Sequence, residues 1–240
     1  MNVRPPSGTP ALQGQEDVRL SCGVLRGTIG GVMPLAIFDL DGTLVHSAPD
    51  IAAALNRLMA RRALPPFALP EVQAMIGDGA RALLAKAFAA RGAAWGEEDF
   101  GSFLPDLEAN SAVLSRPFPG IPEALAGLAE ARWGLAVCTN KPIAATRALL
   151  EGLGLAGRFS VVLGGDSLSV RKPDPGHVRG VLEAAGAAPG EAVMIGDHAN
   201  DVLAARGAGV RSVFAAWGYG ADPGADAVAF SPAELLQTVR

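Results

Sequence analysis

Short apolar runs alternate along most of the chain with segments of helical period. The runs are residues 35–38, 135–138, 161–163, 192–195 and 212–215, and helix-like patterns fill residues 121–132, 144–153, 177–185 and 201–208. Such alternation predicts βαβ units and an α/β fold with a mostly parallel sheet. One interval breaks the rhythm. From His46 to about Ser115 no strand pattern occurs, whereas Ile51, Leu55, Leu58 and Met59, then Leu83, Leu84, Ala87 and Phe88, recur at helical spacing. A helical insertion is therefore expected over 46–115, with the sheet built from 33–45 and 116–240. Residues 1–32 hold six glycines and three prolines and show no apolar period or signal-peptide h-region. They read as a disordered N-terminal tail without chemistry.

Polar residues gather where the apolar runs end. Asp39 and Asp41 follow "LAIF", Thr139 and Asn140 follow "LAVC", and Asp197 follows "AVMIG". In an open parallel sheet the carboxyl ends of the strands form one edge, and ligands bind there. Turn formation explains each residue singly. It does not explain two carboxylates one residue apart, which repel unless a cation or a shared proton intervenes, together with another aspartate and the lysine of "RKPDP".

Phosphoryl transfer fits this set. A free carboxylate is ionised at neutral pH, so Asp39 can attack a phosphate ester without a base. Asp41 can protonate the leaving alkoxide and then deprotonate water. Mg²⁺ on hard oxygens of Asp39 and Asp197, with the Asp41 carbonyl, would screen carboxylate from phosphate. Thr139 and Asn140 can donate to phosphoryl oxygens, and Lys172 supplies a point charge. Asp201, one helical turn beyond Asp197, can reach the metal shell or position Lys172.

Composition narrows the classes. The 240 residues suit one sizeable domain, or one with an insertion. The formal net charge is -4, basic residues form no stripe, and aromatic residues are few, which argues against a nucleic-acid partner. No apolar stretch approaches the ~18 residues of a membrane span. Cys22 and Cys138 lie far apart, and Cys138 sits inside an apolar run, as expected in a reducing compartment. A soluble cytoplasmic protein, monomeric or homodimeric, is expected.

At the residues singled out above, the chain resembles the haloacid dehalogenase superfamily of phosphohydrolases. "DLDGTLV" is similar to its first motif, "CTN" to its second, "RKPDP" to its lysine motif and "GDHAND" to its acidic fourth, in order from about Leu35 to Ala208. The resemblance implies a Rossmann-like core and an aspartyl-phosphate mechanism. It implies Asp39 as nucleophile, Asp41 as acid/base, Thr139 and Lys172 as phosphate ligands, and Asp39, Asp41 and Asp197 as metal ligands. Dehalogenases of the family lack the second aspartate, so Asp41 implies a phosphatase.

The insertion resembles the small helical cap of one subclass. "IGDGARALLAKAF", "SAPDIAAAL" and "WGYG" resemble segments of phosphoglycolate phosphatases. Gly77 is followed by Asp78 and Gly79, not by the Ser-Arg pair of the related mutases. The loop Gly77-Asp78-Gly79 is expected over the carboxyl edge, enclosing a small phosphorylated metabolite, with backbone N–H groups gripping its distal end. The family often has Asp where this chain has His46, which is read as a satisfied residue at the insertion's entrance. His177 and His198 lack metal-ligand spacing to another histidine. An EF-hand fails because Leu44 and Asp50 occupy the positions of its Gly and Glu. A phosphatase or mutase for another small ester, or a non-catalytic Mg²⁺/phosphate-binding module, are the alternatives; a non-catalytic module would be expected to lack Asp39 or Asp41.

Overall fold

The computed structural model describes residues 33–240, so the tail expected over residues 1–32 lies outside the described residues. Strand β1 (Leu35–Phe38) is followed by a two-residue strand, β2 (Val45–His46). Four helices come next: α1 (Ala48–Arg61), α2 (Leu69–Gln73), α3 (Ala80–Ala90) and α4 (Glu97–Ala109). A second short strand, β3 (Arg116–Pro117), leads into α5 (Ile121–Glu130), β4 (Gly134–Cys138) and α6 (Ile143–Gly152). Then follow β5 (Val161–Leu163), α7 (Pro175–Ala185), β6 (Ala192–Gly196) and α8 (Ala199–Ala208). The described chain closes with β7 (Arg211–Ala215), β8 (Ala227–Ala229) and α9 (Leu235–Thr238).

The main sheet is parallel throughout, in the order β5-β4-β1-β6-β7-β8. Counted by appearance within this sheet, the order is 3-2-1-4-5-6, that of a doubly wound Rossmann-like fold. The chain builds outward from β1 to β4 and β5, then crosses to β6 on the other side. The order therefore reverses beside β1, and the two departing connections leave a crevice at its carboxyl end. Successive residues of the central strands point to opposite faces. Phe38, Val137 and Ile195 pack with Leu125 and Leu128 of α5, whereas Ile37, Ala136 and Met194 pack with Val181 of α7 and Ala204 of α8. Burial on both faces is why these strands read as continuous apolar runs.

Helices α1–α4 fall inside the interval expected to be helical. Their inward faces form a separate apolar cluster in which Leu55, Leu58 and Met59 meet Leu84, Phe88 and Phe103. That cluster also includes Ala145 of α6 and touches Tyr219, so the insert rests on the sheet-bearing part. Its two ends are joined by β2 and β3, an antiparallel pair with Val45 opposite Pro117 and His46 opposite Arg116. Among the described residues, no helix is long and apolar enough to cross a membrane.

The insert's entry and exit are also tied by a buried carboxylate. Asp50, in the first turn of α1, accepts hydrogen bonds from the Leu114 N–H at 2.9 and 3.0 Å and from the Ser115 N–H at 2.8 Å. Removing that acceptor strands amide donors in a mostly dry junction, at a cost of about 1–3 kcal/mol. Asp50→Ala is expected to lose that much stability in urea denaturation. A loss below about 0.5 kcal/mol would show that water replaces the carboxylate.

Candidate active site

Asp39 follows the last residue of β1, and its N–H extends the ladder to the Ile195 carbonyl at 2.9 Å. The central strand thus delivers this carboxylate to the edge where the strand order reverses. The chain turns at once, with the Leu44 and Val45 N–H groups both donating to the Leu40 carbonyl, at 3.0 and 2.9 Å. Gly42 stands at the bend with φ +91°, and a Cβ there would run into the Asp197 carboxylate. The glycine thus serves both the turn and the close approach of two carboxylate-bearing loops.

Asp197 follows the last residue of β6 and is fully buried. Its Oδ1 accepts from the Thr43 hydroxyl at 3.0 Å and its Oδ2 from the Tyr219 N–H at 2.8 Å. Trp217 Nε1 donates to the Thr43 carbonyl at 2.9 Å, so the loop after β7 braces both. Asp201 caps α8, its Oδ2 accepting the His198 N–H at 3.0 Å. Its other oxygen accepts from Lys172 Nζ at 2.6 Å, and this ammonium also donates to the Cys138 carbonyl at 2.5 Å. Lys172 Nζ stands 2.9 Å from Asp39 Oδ1. Burial opposes charge on Lys172, but Asp201 and Asp39 outweigh it and hold the ammonium above its usual range. Burial pushes the nearby Cys138 thiol up to about 12, leaving it an unreactive core group.

The two aspartates after β1 face different partners. Asp41 accepts from the Ser47 hydroxyl at 2.5 Å, and Lys141 Nζ lies 3.1 and 3.3 Å from its two oxygens. Asp39 lies 2.9 Å from Lys172, yet its Oδ1 receives no aligned hydrogen bond and keeps a free lone pair. Asp39, Asp197, Asp201 and His198 each bring a ligand atom within 4.8 Å of the others. Formally, four buried carboxylates face two ammonium groups, Lys141 and Lys172, leaving two negative charges. His198 responds to this excess: burial disfavours its charged form, yet Asp197, Asp39 and Asp201 raise it to about 9, so its imidazolium offsets one of the two at neutral pH. An orphaned oxygen, hard donors and this charge deficit fit a divalent cation.

Over Asp39 and Asp41 lies a cavity of about 40 Å³, walled at the sheet edge by Thr139, Asn140 and Lys141. Ile51, Ile76, Leu83, Phe103 and Leu107 of the insert form its apolar side, and Gly77 and Gly79 close it. Gly79 comes so near the second strand end that a Cβ would sit 2.8 Å from the Asn140 carbonyl. Thr139 Oγ1 accepts the Lys141 N–H at 3.3 Å, leaving its hydroxyl proton free. Asn140 Nδ2 donates to the carbonyls of Gly77 (2.9 Å) and Lys172 (2.8 Å), so its amide ties the insert's loop to the lysine loop. The Asp78 carboxylate pairs with Lys86 at 2.5 Å and accepts from Asn200 Nδ2 at 2.7 Å instead of lining the cavity. The loop accordingly presents backbone to the cavity and uses Asp78 as its anchor.

The histidines fall into different settings. His46 is half-buried with Nδ1 3.0 Å from the Tyr219 hydroxyl. His177 is fully buried with Nε2 3.1 Å from the Gly164 carbonyl, and burial lowers it to about 4, so it stays neutral. His198 does join the acidic cluster, where no second histidine is required. Lys141, Thr43, Ser47 and Tyr219 were not singled out from sequence. Thr43 lies inside "DLDGTLV" and Lys141 directly follows Thr139-Asn140, but only the fold shows what each touches.

Residues 33–209 match the haloacid dehalogenase-like hydrolase family. The chain belongs to this family. It is 44% identical over 202 residues to a phosphoglycolate phosphatase of Caulobacter vibrioides, covering 81% of this chain and 85% of the relative. Identity is 42% over 190 residues with a phosphoglycolate phosphatase of Agrobacterium fabrum, covering 78% and 82%. The crystal structure of a predicted phosphoglycolate phosphatase from Haemophilus somnus superposes with a TM-score of 0.79 at 30% identity, covering 87% of this chain and 98% of that one. The crowded approach of Gly42 to Asp197 is testable. Gly42→Ala combines a strained φ with a collision at the Asp197 carboxylate. Hydrolysis is expected to fall at least about tenfold, with a raised divalent-cation requirement. An unchanged cation titration would contradict the role given to that contact.

Proposed function

We propose that this hydrolase is a Mg²⁺-dependent phosphatase acting on 2-phosphoglycolate, which it cleaves to glycolate and phosphate. The observation that carries the reading is the separation of Asp39 from Asp41: one keeps a free oxygen beside Lys172, the other is held by Ser47 and Lys141, and both face one small cavity. Asp39 attacks phosphorus and the ester oxygen departs with a proton from Asp41, giving an aspartyl-phosphate. Asp41 then takes a proton from a water molecule that attacks phosphorus and restores Asp39. Lys172 and the free hydroxyl of Thr139 hold phosphoryl oxygens as charge builds on them.

Asp39 and Asp197, with the Asp41 carbonyl and Asp201 close by, would hold Mg²⁺, which supplies charge that offsets repulsion between carboxylate and phosphate. Asn140 and Asp78 fix the loop whose Gly77 and Gly79 roof the cavity. A volume of about 40 Å³, near that of three waters where one needs about 10–15 Å³, favours a small leaving group. The relatives named phosphoglycolate phosphatase support that choice. Every group invoked belongs to one chain, so the reading suits a monomer or a homodimer, and the buried free thiol of Cys138 suits the cytoplasm.

Asp39→Asn keeps the side-chain shape but removes the anionic nucleophile, and turnover is expected to fall by about 10⁴ or more in a screen of small phosphate esters. EDTA is expected to abolish wild-type activity and Mg²⁺ to restore it. Asp39→Asn turnover within tenfold of wild type, or full activity in EDTA, would contradict the mechanism.

A further inference from the structure

Lys141 is the one cationic side chain lining the cavity among the described residues. The cations of the insert are engaged elsewhere: Arg57, Arg62, Arg81, Lys86 and Arg91 each pair with an acidic residue of the insert, Arg61 donates to the Ser102 hydroxyl, and none lines the cavity. Lys141 is nearly fully buried, and its ammonium contacts only the two oxygens of Asp41. An ammonium carries three donors, so one remains for whatever enters. The rest of the wall beside it is apolar, formed by Ile51, Leu83, Phe103 and Leu107.

Connectivity limits what can enter. The group that protonates an ester oxygen must stand at that oxygen, and here it is Asp41. A carboxylate whose carbon is two bonds from the ester oxygen must then lie beside the proton donor, and Lys141 stands 3.1 Å from Asp41. One methylene more would push the carboxylate past Lys141 toward the apolar wall, where an unpaired charge is costly. We infer that Lys141 is the specificity-determining residue, binding the substrate's carboxylate when it lies two bonds from the ester oxygen and holding Asp41 at the same oxygen. This rests on the phosphomonoesterase reading above and adds to it the group that selects the substrate.

The test compares kcat/KM for 2-phosphoglycolate, ethyl phosphate and the phosphate ester of 3-hydroxypropionate, in wild type and Lys141→Met. Wild type is expected to prefer 2-phosphoglycolate to both others by at least about tenfold. Lys141→Met is expected to lower all rates, because Asp41 loses its cationic partner and keeps only Ser47. The preference for 2-phosphoglycolate over ethyl phosphate should additionally shrink roughly 10- to 100-fold, the worth of a charge-assisted hydrogen bond. A preference that survives in Lys141→Met, with only the common loss, would overturn the inference and leave Lys141 as a positioning residue for Asp41. Wild type that hydrolyses esters yet shows no preference for 2-phosphoglycolate over ethyl phosphate would instead overturn the substrate reading itself. Should Lys141→Met fail to fold, the wild-type series decides: equal use of the longer ester overturns the placement of the carboxylate at Lys141.

Discussion

Removing a carboxylate from water costs several kcal/mol even after the surroundings relax, and this chain buries four of them at one sheet edge. Their mutual repulsion makes every neighbouring group part of the answer. Lys172 bridges Asp39 and Asp201, Lys141 faces Asp41, and the Thr43 hydroxyl and Tyr219 amide satisfy Asp197. What these partners leave unmet is a residual negative charge and an Asp39 oxygen that Lys172 approaches at 2.9 Å without an aligned hydrogen bond. An unmet buried acceptor is costly in a purely structural site. It is useful where a cation and a phosphate must enter.

The doubly wound sheet makes such crowding possible because it brings residues remote in sequence to one line. Asp39, Thr139 and Asp197 directly follow three adjacent strands, β1, β4 and β6, and the connections beside β1 part in opposite directions. The helical insert then closes the opening from above. It does so with backbone at Gly77 and Gly79, where side chains would leave no room against His198 and Asn140. Its own acids and bases pair among themselves on the outer side, so charge inside the cavity comes from the sheet edge.

Much of this was legible in the chain. Five apolar runs anticipated the strands of the sheet to within one residue at each end because parallel strands buried on both faces must be apolar throughout. The sixth strand, β8, was not, since Ala-Val-Ala is too short and small to show a period. Strands β2 and β3, of two residues each, are likewise invisible until the insert's ends meet. Asp39, Asp41 and Asp197 stood out because their positions follow strand ends, and Lys172 as the lysine of "RKPDP". Lys141 did not: a lysine before a proline reads as an ordinary solvated turn residue, and its burial against Asp41 arises only because β1 and β4 pair side by side in the sheet. Asp50 was hidden for the same reason, since its donors lie at Leu114 and Ser115, far along the chain.

The central claim is that the buried Asp39 carboxylate itself takes the phosphoryl group. Quenching the enzyme in acid within a single turnover of ³²P-labelled 2-phosphoglycolate, followed by peptide mapping, tests it directly. The account predicts transient label on the peptide containing Asp39, released by hydroxylamine as expected for an acyl phosphate and absent from Asp39→Asn. Label on another residue, or phosphate release at full rate with no labelled enzyme at any quench time, would contradict it.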